Sequence, residues 1–239
     1  MSDFDFDFER FKQDLMDGVG GAADAVAATA RGVSGDVLRA QSFIATGRDL
    51  FISGATTSHG GNLSTSDGSS IWITRSGAML GRLLPGDVRQ LTLAPSAADA
   101  QASMELPVHR AMYAAWAARV AQAGEPFGTR AIIHAHTRYT VLRSLVEDAI
   151  VPLDSEGKLT LGASVPVLAC EKSVASEEVA ALMAAQVTAG SSIAVVRGHG
   201  PFALADSLEG ALRLISCLEY SAGLLTLLES TGRGPDGLR

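Results

Sequence analysis

Cysteine, lysine and long apolar runs are all scarce in this chain, and each scarcity removes a class of explanation. The 239 residues contain 2 cysteines, Cys170 and Cys217. They are too few for a disulfide framework and form no CxxC pair, so they read as free thiols in a reducing compartment, and the expected location is the cytoplasm. Lysine occurs only as Lys12, Lys158 and Lys172, which leaves few nucleophilic amines for Schiff-base chemistry. No basic cluster exists either: 19 Lys and Arg against 26 Asp and Glu give a net charge of −7. Nucleic acid and anionic membrane surfaces are therefore not expected partners, and any anion must be bound locally. No uninterrupted run of about eighteen apolar residues is present to span a bilayer. The acidic start, Met-Ser-Asp-Phe-Asp-Phe, lacks the positive region of a secretory leader.

What remains is a chain that is 47% hydrophobic, enough to bury the core of one sizeable α/β domain. The first seventeen residues suit a short amphipathic helix with an acidic start. Gly18 to Gly35 is rich in Gly, Ala and Ser and reads as a linker or a weakly packed turn and helix. The division expected is an extension over 1–35, a main domain over 36–232 and a frayed tail over 233–239. Within the main domain, helices are predicted from Asp36 to Leu50, Glu105 to Val120, Glu177 to Thr188 and Ser207 to Glu229. Strands are predicted at Leu63 to Ser66, Ser70 to Thr74, Leu91 to Leu93, Ala131 to Ile133, Val165 to Leu168 and Ser192 to Val196. A second hairpin is predicted at Ala149 to Leu153 and Lys158 to Leu161, turning at Ser155-Glu156-Gly157. Hairpins between helices point to a mixed, mainly antiparallel sheet with helices on its faces.

The histidines carry the chemistry. Of 5 in the chain, His134 and His136 follow the apolar run Ala131 to Ile133, and residues i and i+2 of a strand face one side. His199 sits in Arg-Gly-His-Gly just after the Ser192 to Val196 strand, so a neighbouring strand can bring a third imidazole to the same point. A lone histidine is usually a surface or satisfied core residue. Three placed this way point to a metal site, and three neutral imidazoles plus an oxygen ligand suit Zn²⁺ with one position left for substrate.

Several segments, in order, extend this reading: Gly61-Asn62-Leu63-Ser64, Ile73-Thr74-Arg75-Ser76-Gly77, Ser103-Met104-Glu105 with Pro107-Val108-His109 and Tyr113, His134-Ala135-His136-Thr137, Gly198-His199-Gly200 and Leu218-Glu219-Tyr220. Over residues 36 to 230 this ordered set resembles the class II aldolase/adducin family. The resemblance implies an α/β/α sandwich around a nine-stranded, mostly antiparallel sheet, a homotetramer, and a zinc site near a subunit interface. It assigns zinc to His134, His136 and His199. Glu105 takes the place of the catalytic acid/base, which also binds zinc when substrate is absent. Gly61, Asn62, Ser76, Gly77 and Ser103 fall on the phosphate-binding loops, with Arg75 a further candidate for the anion. This chain departs at Met104, where the family's aldolases often have a second Ser, and at His59, where Thr is frequent.

The activity implied is zinc-dependent cleavage of a ketose 1-phosphate into dihydroxyacetone phosphate and a short aldehyde. A decarboxylase, 4-epimerase or dehydratase acting on a sugar phosphate is the alternative on the same fold, and a noncatalytic adducin-like interaction module is the alternative from another class. Among the remaining polar residues, His109 lies one helical turn from Glu105 and is expected to make a core or interface hydrogen bond. Tyr113 is expected in the core. Tyr139 and Tyr220 are candidate proton donors to the leaving aldehyde, and Asp154 and Glu156 are expected in a solvated turn.

Overall fold

The computed structural model describes residues 23–232; the expected N-terminal amphipathic helix and the tail after Gly232 lie outside them. The chain divides into two compact units, Met1–Ala40 and Gln41–Arg239, and the sheet and the histidines belong to the second. Helix α1 runs over Ala23–Ile52, so residues 23–35, expected as a linker or weak turn and helix, are helical. The alanines of Ala23-Asp-Ala-Val-Ala-Ala-Thr-Ala outweigh the isolated glycines, since alanine is the best helix former.

Eight strands form one sheet among the described residues: β1 (Asn62–Ser66), β2 (Ser70–Thr74), β3 (Val88–Thr92), β4 (Arg130–His134), β5 (Ala149–Ile150), β6 (Val165–Leu168), β7 (Ile193–Val196) and β8 (Gly200–Ala205), in the order β3-β2-β1-β4-β8-β7-β6-β5. Only the β6–β7 pair is parallel. The mixed, mainly antiparallel α/β sheet expected from the sequence is therefore present, with eight strands where the resemblance implied nine.

The predicted second hairpin does not form. Residues Ser155–Leu161 are a helix, α4, because Asp154 caps it: its carboxylate accepts from the Gly157 N–H at 2.7 Å and from the Ser221 hydroxyl at 2.6 Å. Ser-Glu-Gly, read as a turn, is the first turn of that helix, and Asp154 is engaged rather than solvated.

Strand alternation divides the core into two layers. Ala131, Ile133, Val195 and Ala203 face a layer that includes Phe43 and Leu50 of α1 and the long helix α6 (Leu208–Ser230). Ile132, Ala194, Val196, Phe202 and Leu204 face the other, closed by α2 (Leu106–Ala123) and α5 (Glu177–Thr188). Helix α6 is long and apolar enough on average to cross a bilayer, although no uninterrupted apolar run exists. Here its residues Leu208, Ala211, Ile215, Leu218 and Leu225 are buried in the first layer, and Ala222 is buried in the same stripe of the helix. That alternating three- and four-residue spacing makes one helical face, and each buried Leu or Ile contributes about 1.5–3 kcal/mol.

Candidate metal and anion site

Strand β4 ends at His134, in register between Asn62 of β1 and Phe202 of β8. The His134 ring stacks on Phe202 with centroids 4.0 Å apart. His136 lies past the strand end, just before the short helix α3 (Arg138–Ser144). His199 occupies the tight turn joining β7 to β8, and β8 is the direct neighbour of β4. Strand β8 was not anticipated, yet it is the element that carries the third imidazole to the other two.

The three rings converge through their Nε2 atoms. His134 Nε2 lies 3.1 Å from His136 Nε2 and 3.2 Å from His199 Nε2. A tetrahedral zinc with Zn–N bonds of about 2.0–2.1 Å spaces its nitrogens by roughly 3.3 Å. The tautomer is fixed at His134, whose Nδ1 lies 3.0 Å from the Pro201 carbonyl oxygen. A carbonyl only accepts, so Nδ1 carries the proton and Nε2 presents its lone pair inward.

Electrostatics favour the same state. Burial drives His134 well below its ordinary value, with repulsion from His199 and His136 adding to it. Burial also lowers His136, and burial followed by repulsion from His136 brings His199 to about 4. Three neutral imidazoles at neutral pH are the form that ligates a metal, and the donor set fits a divalent cation.

Glu105 is the N-cap residue of α2 and is 5% exposed. Its Oε1 stands 3.9 Å from His199 Nε2 and accepts the Ala175 backbone N–H at 3.0 Å. Its Oε2 is buried with no hydrogen-bond partner among the described residues. Burial raises its pKa, and the Ala175 N–H partly offsets that. A carboxylate in this setting has increased proton affinity, as an acid/base group needs.

The sequence-assigned anion loops open onto the same cavity, of about 170 Å³, whose lining includes Gly61, Asn62, Ser76, Gly77, Ser103, Glu105, His134, His136 and His199. All nine sequence-predicted site residues therefore share one wall-to-wall space. Hydrogen bonds hold the loops in register: Leu63 N–H donates to Thr74 Oγ1 at 3.2 Å, and Ser103 N–H to the Thr74 carbonyl at 3.0 Å. Glycine is required at Gly61, which has φ +80° and whose Cβ, if present, would lie 2.5 Å from the His134 carbonyl oxygen. Asn62 is buried, and its Oδ1 has no partner among the described residues.

Arg75 also lines the cavity, but Asp87 accepts from its Nε at 2.6 Å and the Ser76 carbonyl from an NH1 proton at 3.0 Å. Its charge is thus largely engaged, and the anion side of the cavity is built mostly from neutral donors. His59, Ala78, Met104 and Val174 complete the lining, with Met104 66% exposed.

The secondary candidates separate from the site. His109 is fully buried, with Nδ1 2.6 Å from the Ser64 hydroxyl, which also meets the Tyr113 hydroxyl at 2.7 Å, so both belong to a core network. Tyr139 and Tyr220 line a different cavity of about 370 Å³ with Arg138 and Leu224. The described chain brings neither to the imidazoles. Sequence reasoning missed Val174 and Ala175, which sit between β6 and α5 with no motif to signal them. It also missed what Glu219 of the Leu-Glu-Tyr segment does: its carboxylate accepts the Tyr139 and Thr140 N–H groups and the Thr140 hydroxyl, each at 2.8 Å, bracing the chain just after His136.

Fold and site together define a class II aldolase-like domain, and the comparisons with known proteins agree. A model of the family described as "Class II Aldolase and Adducin N-terminal domain" matches residues 41–226, and the chain belongs to this family. A search of curated proteins gives no significant match. Among solved structures, L-fuculose-1-phosphate aldolase from Thermus thermophilus is 33% identical, with 82% of this chain and 97% of that one covered and a TM-score of 0.70. YgbL from Klebsiella pneumoniae, provisionally described as an aldolase/epimerase/decarboxylase, has a TM-score of 0.69 at 24% identity over 81% of this chain and 90% of that one. A sugar-phosphate aldolase from Thermotoga maritima has a TM-score of 0.67 at 19% identity, covering 80% and 95%. The last two likenesses speak to the fold alone.

Proposed function

We propose that this protein is a zinc-dependent aldolase that cleaves a ketose 1-phosphate into dihydroxyacetone phosphate and a short aldehyde. The observation that carries the reading is the convergence of three imidazoles, with His134 Nε2 3.1 Å from His136 Nε2 and 3.2 Å from His199 Nε2, beside a buried carboxylate in a cavity shared with the loops at Gly61, Ser76 and Ser103. Zinc held there supplies Lewis-acid chemistry, stabilising negative charge on the ketone oxygen as the adjacent carbon–carbon bond breaks. His134, His136 and His199 would be its ligands, and Glu105 would join them when substrate is absent. No lysine among the described residues lines the cavity, so an enamine route has no nucleophile among them there.

The chain's own groups do the rest. Asn62, the Ser76 and Ser103 hydroxyls, and the backbone of Gly61 and Gly77 hold the phosphate through neutral donors. Glu105 returns a proton to the carbon that becomes the end of dihydroxyacetone phosphate during cleavage, and removes it in the synthetic direction. The exposed Tyr220, Leu224 and Leu227 of α6 support a homotetramer, since clustered apolar surface suits subunit contact. The two free cysteines support a cytoplasmic location.

Met104 favours a second reading on the same chemistry. An exposed thioether stands on the cavity wall where a hydroxyl is frequent among the family's aldolases, which suits a decarboxylase, 4-epimerase or dehydratase with a different anion contact. A noncatalytic adducin-like module has no physical need for three imidazoles arranged in this way. Ketose 1-phosphates and sugar acid phosphates assayed in parallel for cleavage, decarboxylation, epimerisation and dehydration separate these readings. Release of dihydroxyacetone phosphate supports the first, and its absence alongside any of the other reactions overturns it.

A further inference from the structure

Helix α3 starts just after His136 and ends against the turn that carries His199. Its last residue, Ser144, is fully buried and makes two bonds to that turn. The Ser144 hydroxyl accepts the Gly198 N–H at 2.9 Å, and the Ser144 carbonyl accepts from Arg197 NH1 at 2.8 Å. The hydroxyl proton is already committed to the Val141 carbonyl at 2.7 Å, so a lone pair is what faces Gly198. Asp148 accepts from the other arm of Arg197 at 2.5 Å. Both residues that precede His199 are thus held by the end of α3.

The helix is itself held at both ends by α6. Glu219 accepts the Tyr139 and Thr140 N–H groups at its start, and Glu229 accepts from Arg143 NH2 at 3.0 Å near its end. The span Arg138–Ser144, at about 1.5 Å per residue, makes a bar of roughly 10 Å. It connects the chain after His136 to the chain before His199, whose ring centroids are 4.9 Å apart. His134 is placed differently, by stacking on Phe202 and by the Pro201 carbonyl. His199 lies in the turn beyond the last β7–β8 pair, Val196 with Gly200, so its place depends on what holds that turn.

We propose that Ser144 is a positioning residue: it fixes the turn before His199 to the far end of α3, so that α3 sets the spacing of the His136 and His199 rings. The bearing of this on metal affinity rests on the metal reading above, whereas the spacing belongs to the chain without metal.

The test uses the full chain with two variants. Ser144→Ala removes the acceptor of the Gly198 N–H, and Arg197→Met removes the other bond to Ser144. In metal-free protein, imidazole NMR should show shifted His199 ring resonances and an altered His136–His199 Overhauser contact in both, with His134 changing least. With Co²⁺ alone as the probe, chelator competition should show affinity reduced about 10- to 100-fold in Ser144→Ala, the scale for groups that support a histidine ligand, together with a changed visible band. Ser221→Ala, which breaks the buried bond to Asp154 instead, should lower Tm while leaving the His199 resonances and Co²⁺ binding as in the wild type. Unchanged His199 resonances in both Ser144→Ala and Arg197→Met overturn the proposal, as does an equal change in Ser221→Ala. Failure of the wild type to bind Co²⁺, with the His199 shifts present in Ser144→Ala, overturns the metal reading and supports the positioning role.

Discussion

Gly61→Ala tests how closely the backbone of the anion loop is built against the metal-binding strand. Gly61 has φ +80°, and a Cβ there would stand 2.5 Å from the His134 carbonyl oxygen and 3.2 Å from the α-carbon of Ala135. An alanine in the left-handed region costs about 1–2 kcal/mol. Approaches this short are not tolerated, so the turn or the end of β4 must shift by at least about half an ångström, for a total of roughly 2–4 kcal/mol. At about 2–4 °C per kcal/mol for a chain of this size, thermal melting should show a fall in Tm of roughly 5–15 °C. Because His134 pairs directly with Asn62 in the β1–β4 ladder, the shift is passed to the ligand itself. Zinc affinity should drop by about 10- to 100-fold, the usual scale for disturbing the groups that support a metal ligand. Competition with a chromogenic chelator measures this directly. A variant that melts lower but binds zinc like the wild type would refute the argument that this turn sets the position of His134.

Glu105→Gln keeps the size of the side chain and removes the proton acceptor, so turnover should fall by roughly a hundredfold or more while most metal is retained; steady-state assay beside elemental analysis checks both. Asn62→Ala should mainly raise KM for a phosphorylated substrate by roughly 10- to 100-fold, with inorganic phosphate competing against substrate in the wild type. Met104→Ser should leave substrate affinity equal or improved, as read from KM. Burial lowers His109 from 6.5 to about 3, so its contribution to stability is complete above pH 6.5 and declines as pH falls toward 3, because the unfolded chain takes up the proton first. By pH 4.5 the loss is about 2.5–3 kcal/mol, and urea denaturation should show a correspondingly shallower decline for His109→Asn.

The three-imidazole cluster was legible because its signal is local. A two-residue period places His134 and His136 on one side of a strand end, and glycines flank His199. The anion loops were legible only through an ordered set of short motifs, none of which stands out alone. Strand β8 escaped because it opens with Gly200-Pro201, a turn signal. Proline is tolerated at the start of this strand, and the Pro201 carbonyl accepts from His134 Nδ1. Helix α4 was misread because Ser155-Glu156-Gly157 scores as a turn until the tertiary bond from Ser221 to the Asp154 cap is known. Ala175 could not be found in the sequence, since its contact with Glu105 is made by a backbone N–H and its side chain carries no chemistry.

The central claim is a carbon–carbon bond cleavage that depends on metal held by three imidazoles. It is tested most directly by measuring dihydroxyacetone phosphate release from a panel of ketose 1-phosphates, L-fuculose 1-phosphate among them, before chelation, after chelation and after return of one equivalent of zinc. Release should occur with at least one substrate, vanish on chelation and return with zinc, and should not be restored by zinc in His136→Ala. Release that ignores the chelator, or no release from any substrate by the zinc-loaded protein, would contradict the account.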